Sequence, residues 1–106
     1  MDEIEIEPQQ LAENIAAGNA VYLLDCREEW EYEAASIAGS TLIPMRAIPQ
    51  QLGEIPKDRS VVVVCHSGRR SLDVAVWLRQ QGIEARSLSG GIDRWSIEID
   101  PQVPRY

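Results

Sequence analysis

The stretch Val61-Val62-Val63-Val64-Cys65-His66-Ser67-Gly68-Arg69-Arg70-Ser71 decides the fold. Four consecutive β-branched residues are too few for a helix. They read as a strand buried on both faces, the kind found inside a parallel sheet. The run stops at Cys65, and Leu72, Val74, Ala75, Trp77 and Leu78 then recur at helical spacing. Cys65 therefore stands where a strand ends and a tight loop turns into a helix, the edge at which open parallel sheets bind ligands. A helix start offers unpaired backbone N–H groups and a partial positive charge, and Arg69 and Arg70 add full charges. Together they favour a negatively charged sulfur, which is the nucleophilic form, and can hold an anion or a developing negative charge. Gly68 allows a positive φ and a close approach of the loop to a bound atom, and Ser71 is placed to cap the helix through its hydroxyl.

The rest of the chain bounds this reading. Its 106 residues make one domain over 1–106 with one core, able to fold without disulfides or metal. The net charge of −7 argues against nucleic acid and anionic membranes. No apolar run follows a basic start and none reaches membrane-spanning length. Two cysteines without tight spacing make neither a disulfide framework nor a zinc set. The expectation is a cytoplasmic monomer with no metal and no organic cofactor.

Taken in order, Glu3–Ile6 alternates like a short edge strand. Pro8 opens a helix that Gly18 and Asn19 end. Ala20–Cys26 is an apolar strand. The acidic run Glu28–Glu33 is a short helix or turn on a solvated face, anchored by Trp30. Thr41–Ile43 is a short strand stopped by Pro44. Met45–Leu52 is a weak helix interrupted by Pro49, and 72–81 is the clearest helix, ended by Gly82. Glu84–Leu88 is the last strand, Gly90-Gly91 a turn, Ile92–Ile97 a short helix, and 98–106, with two prolines, an extended tail. Strands alternating with helices across short connections make an α/β domain with a mostly parallel sheet.

These residues also carry a family pattern. Cys65-His66-Ser67-Gly68-Arg69-Arg70-Ser71 resembles the C-x-x-G-x-R-S loop of rhodanese sulfurtransferases. Asp25-Cys26-Arg27 through Glu31-Tyr32 resembles their D-x-R-x-x-x-E-[FYW] segment. Ile37-Ala38-Gly39-Ser40 through Ile43-Pro44 resembles I-x-G-[AS]-x-x-I-P, and Gly90-Gly91-Ile92-Asp93-Arg94-Trp95 resembles the closing G-G-x-x-x-W. The resemblance implies a five-stranded, mostly parallel sheet flanked by helices on both faces. Where the family often has Gly-His, this chain has Ala35-Ser36, so the local turn is expected to differ. The tail Asp100–Tyr106 is similar to the ending of rhodanese domains fused to enzymes that adenylate ubiquitin-like sulfur carriers.

The activity implied is sulfur transfer. Cys65 takes a sulfane sulfur from a small anionic donor such as thiosulfate, carries it as a persulfide, and passes it to a thiol, to cyanide or to a protein acceptor. His66, Ser67, Gly68, Arg69 and Arg70 bind the substrate. His66 is expected to serve through its backbone N–H, with its side chain toward solvent. Asp25, Arg27 and Ser71 are supporting residues, the first two bracing the loop by charge-assisted hydrogen bonds. Cys26 reads as a small core residue; Trp30, Trp77 and Trp95 read as core anchors. Two rivals remain. A cysteine phosphatase or arsenate reductase of related fold needs arginine six places after cysteine, where this chain has Ser71 with Arg70 at five. A non-catalytic or sulfur-relay binding module is the other, and such modules often lack the cysteine.

Overall fold

The computed structural model describes residues 3–106. Its strands are β1 (Glu5–Ile6), β2 (Val21–Asp25), β3 (Thr41–Leu42), β4 (Ser60–Val64) and β5 (Ala85–Leu88); its helices are α1 (Pro8–Ala16), α2 (Glu29–Ala34), α3 (Arg69–Gln80) and α4 (Gly91–Glu98). Two 3-10 segments, Met45–Ala47 and Pro49–Glu54, replace the interrupted helix expected there. The five strands form one sheet in the order β1-β5-β4-β2-β3, every pair parallel.

The valines explain the layering. Val61 and Val63 point into a cluster with Val74, Ala75 and Leu78 of α3 and with Ile48 and Ile55. Val62 and Val64 point to the other face, against Leu11 of α1 and Ile92 and Trp95 of α4. All four are essentially inaccessible, and each contributes roughly 1.5–3 kcal/mol of apolar burial. β4 is thus the centre of a three-layer sandwich, with β5 and β2 satisfying its two edges. The edge strands β1 and β3 are only two residues long, which leaves little template for strand addition.

Several boundaries differ from the sequence reading for local reasons. α3 starts at Arg69, three residues before the apolar pattern, because Gly68 adopts φ +98 and turns the chain directly into the helix. Its first turn, Arg69-Arg70-Ser71, is polar and gives no apolar signal. Ser71 therefore is not a cap but a buried residue inside the first turn. α4 likewise begins at Gly91, with Gly90 at φ +73. Trp30 is not a core anchor: it is 64% exposed. The six-residue α2 turns Glu31 inward instead, so the acidic run is not solvated throughout. Trp95 is buried and Trp77 is partly buried against the α3 cluster. Ala35 sits in extended backbone at φ −163, a conformation that needs no glycine. Beyond α4 the chain is not the extended tail expected over 98–106: it turns over Asp100–Val103, with Val103 buried and Ser96 Oγ donating to its carbonyl at 2.5 Å.

Candidate functional site

The carboxyl ends of β2 and β4 and the N-termini of α3 and α4 meet at one rim. Cys65 leaves β4 there, 1% exposed. Its Sγ accepts from the backbone N–H of Gly68 at 3.1 Å and of Ser71 at 3.3 Å, so the loop closes around the sulfur as the helix begins. The Ser71 hydroxyl lies 3.3 Å from Sγ and 2.7 Å from the hydroxyl of Ser87 on β5. Ser71 thus supports the sulfur through both its N–H and its side chain, and Ser87 anchors that side chain from the neighbouring strand.

The loop is also held from outside. The α4 amides of Ile92 and Asp93 donate to the carbonyls of Cys65 (2.8 Å) and His66 (3.1 Å). Gly91, at φ +62, is what permits the approach: a Cβ there would stand 2.5 Å from the Cys65 carbonyl oxygen and closer still to that of His66. The Gly90-Gly91 pair is therefore the contact by which the last helix docks on the cysteine loop, beyond its expected role as a turn.

The two loop arginines do different things. Arg69 is exposed and forms no ion pair among the described residues. Arg70 makes a bidentate pair with Glu31, both N···O distances 2.8 Å. Hydrogen bonding from Arg70, against the cost of burial, holds the Glu31 carboxyl down at about 2, helped by the Glu28 amide and the Tyr106 hydroxyl. Ser67 is exposed at the loop tip. The His66 ring does not face solvent freely: it meets the Tyr106 ring edge-on at 4.5 Å between centroids, and its Nδ1 is buried without a hydrogen-bond partner.

Asp25 and Arg27 form a fully buried bidentate pair (2.8 and 2.6 Å). They do not brace the Cys65 loop directly. Arg27 donates to the carbonyl of Ala35 (2.6 Å) and to the hydroxyl of Tyr106 (2.9 Å), tying the end of β2 to α2 and to the C-terminal segment. Removing one partner of such a pair would leave a buried charge uncompensated, which is strongly destabilising. Cys26 continues the β2–β4 register one position past Asp25 and Val64, its amide on the Val64 carbonyl at 3.0 Å. It therefore stands beside Cys65 on the same face of the sheet. Burial, with Cys65 nearby, pushes its thiol up to about 12, so it remains protonated.

Glu31, Tyr106, Ser87 and Gly91 are the residues that sequence reasoning did not assign to the site. Glu31 had a signal, as the fixed carboxylate of the D-x-R-x-x-x-E segment, but charge alone put it on a solvated face. Tyr106 had only its place in a tail similar to that of rhodanese domains, with nothing to tie it to the site, and Ser87 had none.

Comparisons with known proteins bear on the family and the fold. The sequence profile described as Rhodanese-like domain matches residues 7–98. A sulfurtransferase of Allochromatium vinosum is 39% identical over 93 residues, 87% of this chain and 87% of that protein. A probable adenylyltransferase/sulfurtransferase, MoeZ of Mycobacterium tuberculosis, is 31% identical over 95% of this chain, which spans 26% of MoeZ. The crystal structure of a rhodanese-related protein from Thermoplasma volcanium superposes with TM-score 0.86 at 32% identity, covering 98% of this chain and 100% of that one.

Proposed function

The chain belongs to the rhodanese-like domain family, and from that premise we propose that it is a sulfurtransferase working through a persulfide on Cys65. The observation that carries this reading is the sulfur cradle: one buried cysteine Sγ accepting two backbone N–H groups at the start of α3. The Cys65 thiolate attacks the outer sulfur of thiosulfate. The new S–S bond forms as the donor's S–S bond breaks, and sulfite leaves with the electron pair. An acceptor thiolate or cyanide then attacks the outer sulfur of the persulfide and regenerates the Cys65 thiolate. This is two-step covalent catalysis. The loop amides and the Ser71 hydroxyl stabilise charge on sulfur throughout, and Arg69 presents a free cation to an anionic donor at the mouth. A small anion as donor and a thiol, on a small molecule or on a protein, as acceptor fit this chemistry.

Phosphate ester hydrolysis is disfavoured by the same geometry. The loop arginine stands five places after Cys65 and Ser71 occupies the sixth, so the loop is one residue shorter than the cysteine-to-arginine spacing that a phosphate cradle needs. The test is incubation with thiosulfate. Intact mass should show one added sulfur, removable by a reductant and absent in Cys65→Ser, and thiocyanate should form when cyanide is supplied. Turnover at the wild-type rate by Cys65→Ser would refute the mechanism.

A further inference from the structure

We propose that Tyr106 is a positioning residue for the anion-binding side of the loop, fixing the Arg70 guanidinium through Glu31 and the His66 ring through its own ring. The proposal deepens the reading of the Cys65 loop as an anionic-donor site, and it rests on that reading.

The phenol joins two ion pairs. Its hydroxyl accepts from Arg27 Nη1 at 2.9 Å and donates to Glu31 Oε2 at 2.8 Å. Glu31 Oε2 also accepts from Arg70 Nη2, while Oε1 accepts from Arg70 Nη1 and, at 3.0 Å, from the Glu28 amide. Each carboxylate oxygen thus has two donors, and the plane of the carboxylate is fixed. A fixed carboxylate fixes the bidentate guanidinium against it. This matters because the Arg70 side chain is 37% exposed and, without its fork, is free to turn into solvent. Arg27 is immobile, being buried and paired with Asp25, so the hydroxyl transfers the rigidity of the strand end to the loop arginine.

The ring acts on the other side of the loop. It stands edge-on to His66, the residue after the nucleophile, and edge-on to Trp30 at 5.8 Å. The segment that carries Tyr106 is itself secured. Val103 is buried, and Arg105 Nε pairs with Asp93 Oδ1 at 2.8 Å. The Asp93 amide in turn holds the His66 carbonyl. Burial, together with the Glu31 acceptor and against Arg27, pushes the phenol up to about 12, so it stays a donor at all working pH values.

The test compares wild type, Tyr106→Phe, Glu31→Gln and the double variant, all in the full chain. The rates at which iodoacetate and iodoacetamide alkylate Cys65 are measured, with peptide mapping to separate Cys65 from Cys26. The two reagents differ in charge, so their rate ratio reads the positioned cation and needs no turnover. Tyr106→Phe keeps the ring and should lower the iodoacetate-to-iodoacetamide ratio about fivefold, part of what a hydrogen bond to a charged group is worth. On the Glu31→Gln background it should lower the ratio no further, because the two act in series. In sulfur loading, the same variant should lose rate with thiosulfate and not with an uncharged organic polysulfide. An unchanged ratio, or an equal fall with both alkylating reagents, overturns the proposal. Additive effects of the two substitutions overturn it too. Failure of the wild type to gain sulfur from thiosulfate would overturn the transfer reading alone, since the alkylation ratio is read independently.

Discussion

Gly91→Ala is the sharpest test of how the cysteine loop is held. The added methyl meets two penalties. Its residue must keep φ +62, which costs a non-glycine residue about 1–2 kcal/mol. Its Cβ must also clear the carbonyls of Cys65 and His66, which are backbone atoms and cannot rotate away. Clearing them stretches or breaks the two hydrogen bonds from Ile92 and Asp93, each worth about 1 kcal/mol. The sum is about 3–4 kcal/mol, a large share of the 5–15 kcal/mol typical of a domain. Gly39→Ala is the internal control. It has φ +87 with nothing within 4 Å of a Cβ, so it should show the backbone cost alone, about 1–2 kcal/mol. Urea unfolding should rank the two well apart, and sulfur loading of Cys65, measured where both variants are folded, should fall only in Gly91→Ala. If Gly91→Ala is no less stable than Gly39→Ala and loads sulfur at the wild-type rate, α4 does not hold the loop and the reading of the Gly90-Gly91 contact is wrong.

The Glu31–Arg70 pair predicts an acid limb of stability. A carboxyl depressed to about 2 from the usual 4.5 contributes stability that is fully present above the unfolded-state value and lost as pH falls through the folded one. The loss should therefore run from about pH 5 to pH 2 and amount to roughly 1–2 kcal/mol, below the ideal for such a shift because Arg70 is partly exposed. Glu31→Gln should flatten that part of a urea-midpoint-versus-pH curve, and an unchanged curve would refute the assignment. The two arginines should separate by kind of effect. Arg69→Ala should lower kcat/KM for thiosulfate a fewfold, with the loss largest at low salt and no change in Tm, since exposed charges act through a screened field. Arg70→Ala should lower both kcat/KM and Tm, because it also strips Glu31 of its main partner. Equal effects of the two substitutions on both measures would contradict the division of labour seen in the loop.

What was legible in the sequence was local. The valine run announced a doubly buried strand because burial on both faces needs apolar residues at every position. Gly68 and Gly82 marked turns because only glycine takes their φ cheaply, and the distance of Cys65 from the last valine fixed its place at the rim. The start of α3 leaves no apolar trace in the sequence, because its first turn is held by Gly68 and by contacts to sulfur, neither of which has an apolar period. Trp30 faces solvent and Glu31 faces inward, the reverse of what their polarity suggests, because the cation that satisfies Glu31 lies 39 positions away. Ser87 and Tyr106 stayed invisible for the same reason. Their partners are set by the parallel sheet and by the fold-back after α4, and no window of neighbouring residues contains them.

The docking of α4 on the loop has a consequence for the order in which the molecule becomes competent. The nucleophile lies at position 65, but the amides that pin its loop come from 92 and 93 and the phenol that joins its ion pairs from 106. On a ribosome, Cys65 would emerge well before the residues that complete its surroundings. Until they arrive, the thiol belongs to a strand end without its outer clasp, open to indiscriminate oxidants. A nascent chain stalled between these points should react with bulky thiol reagents that the finished domain excludes, which makes the sulfur site a reporter of the final stage of folding rather than of collapse around the valine core.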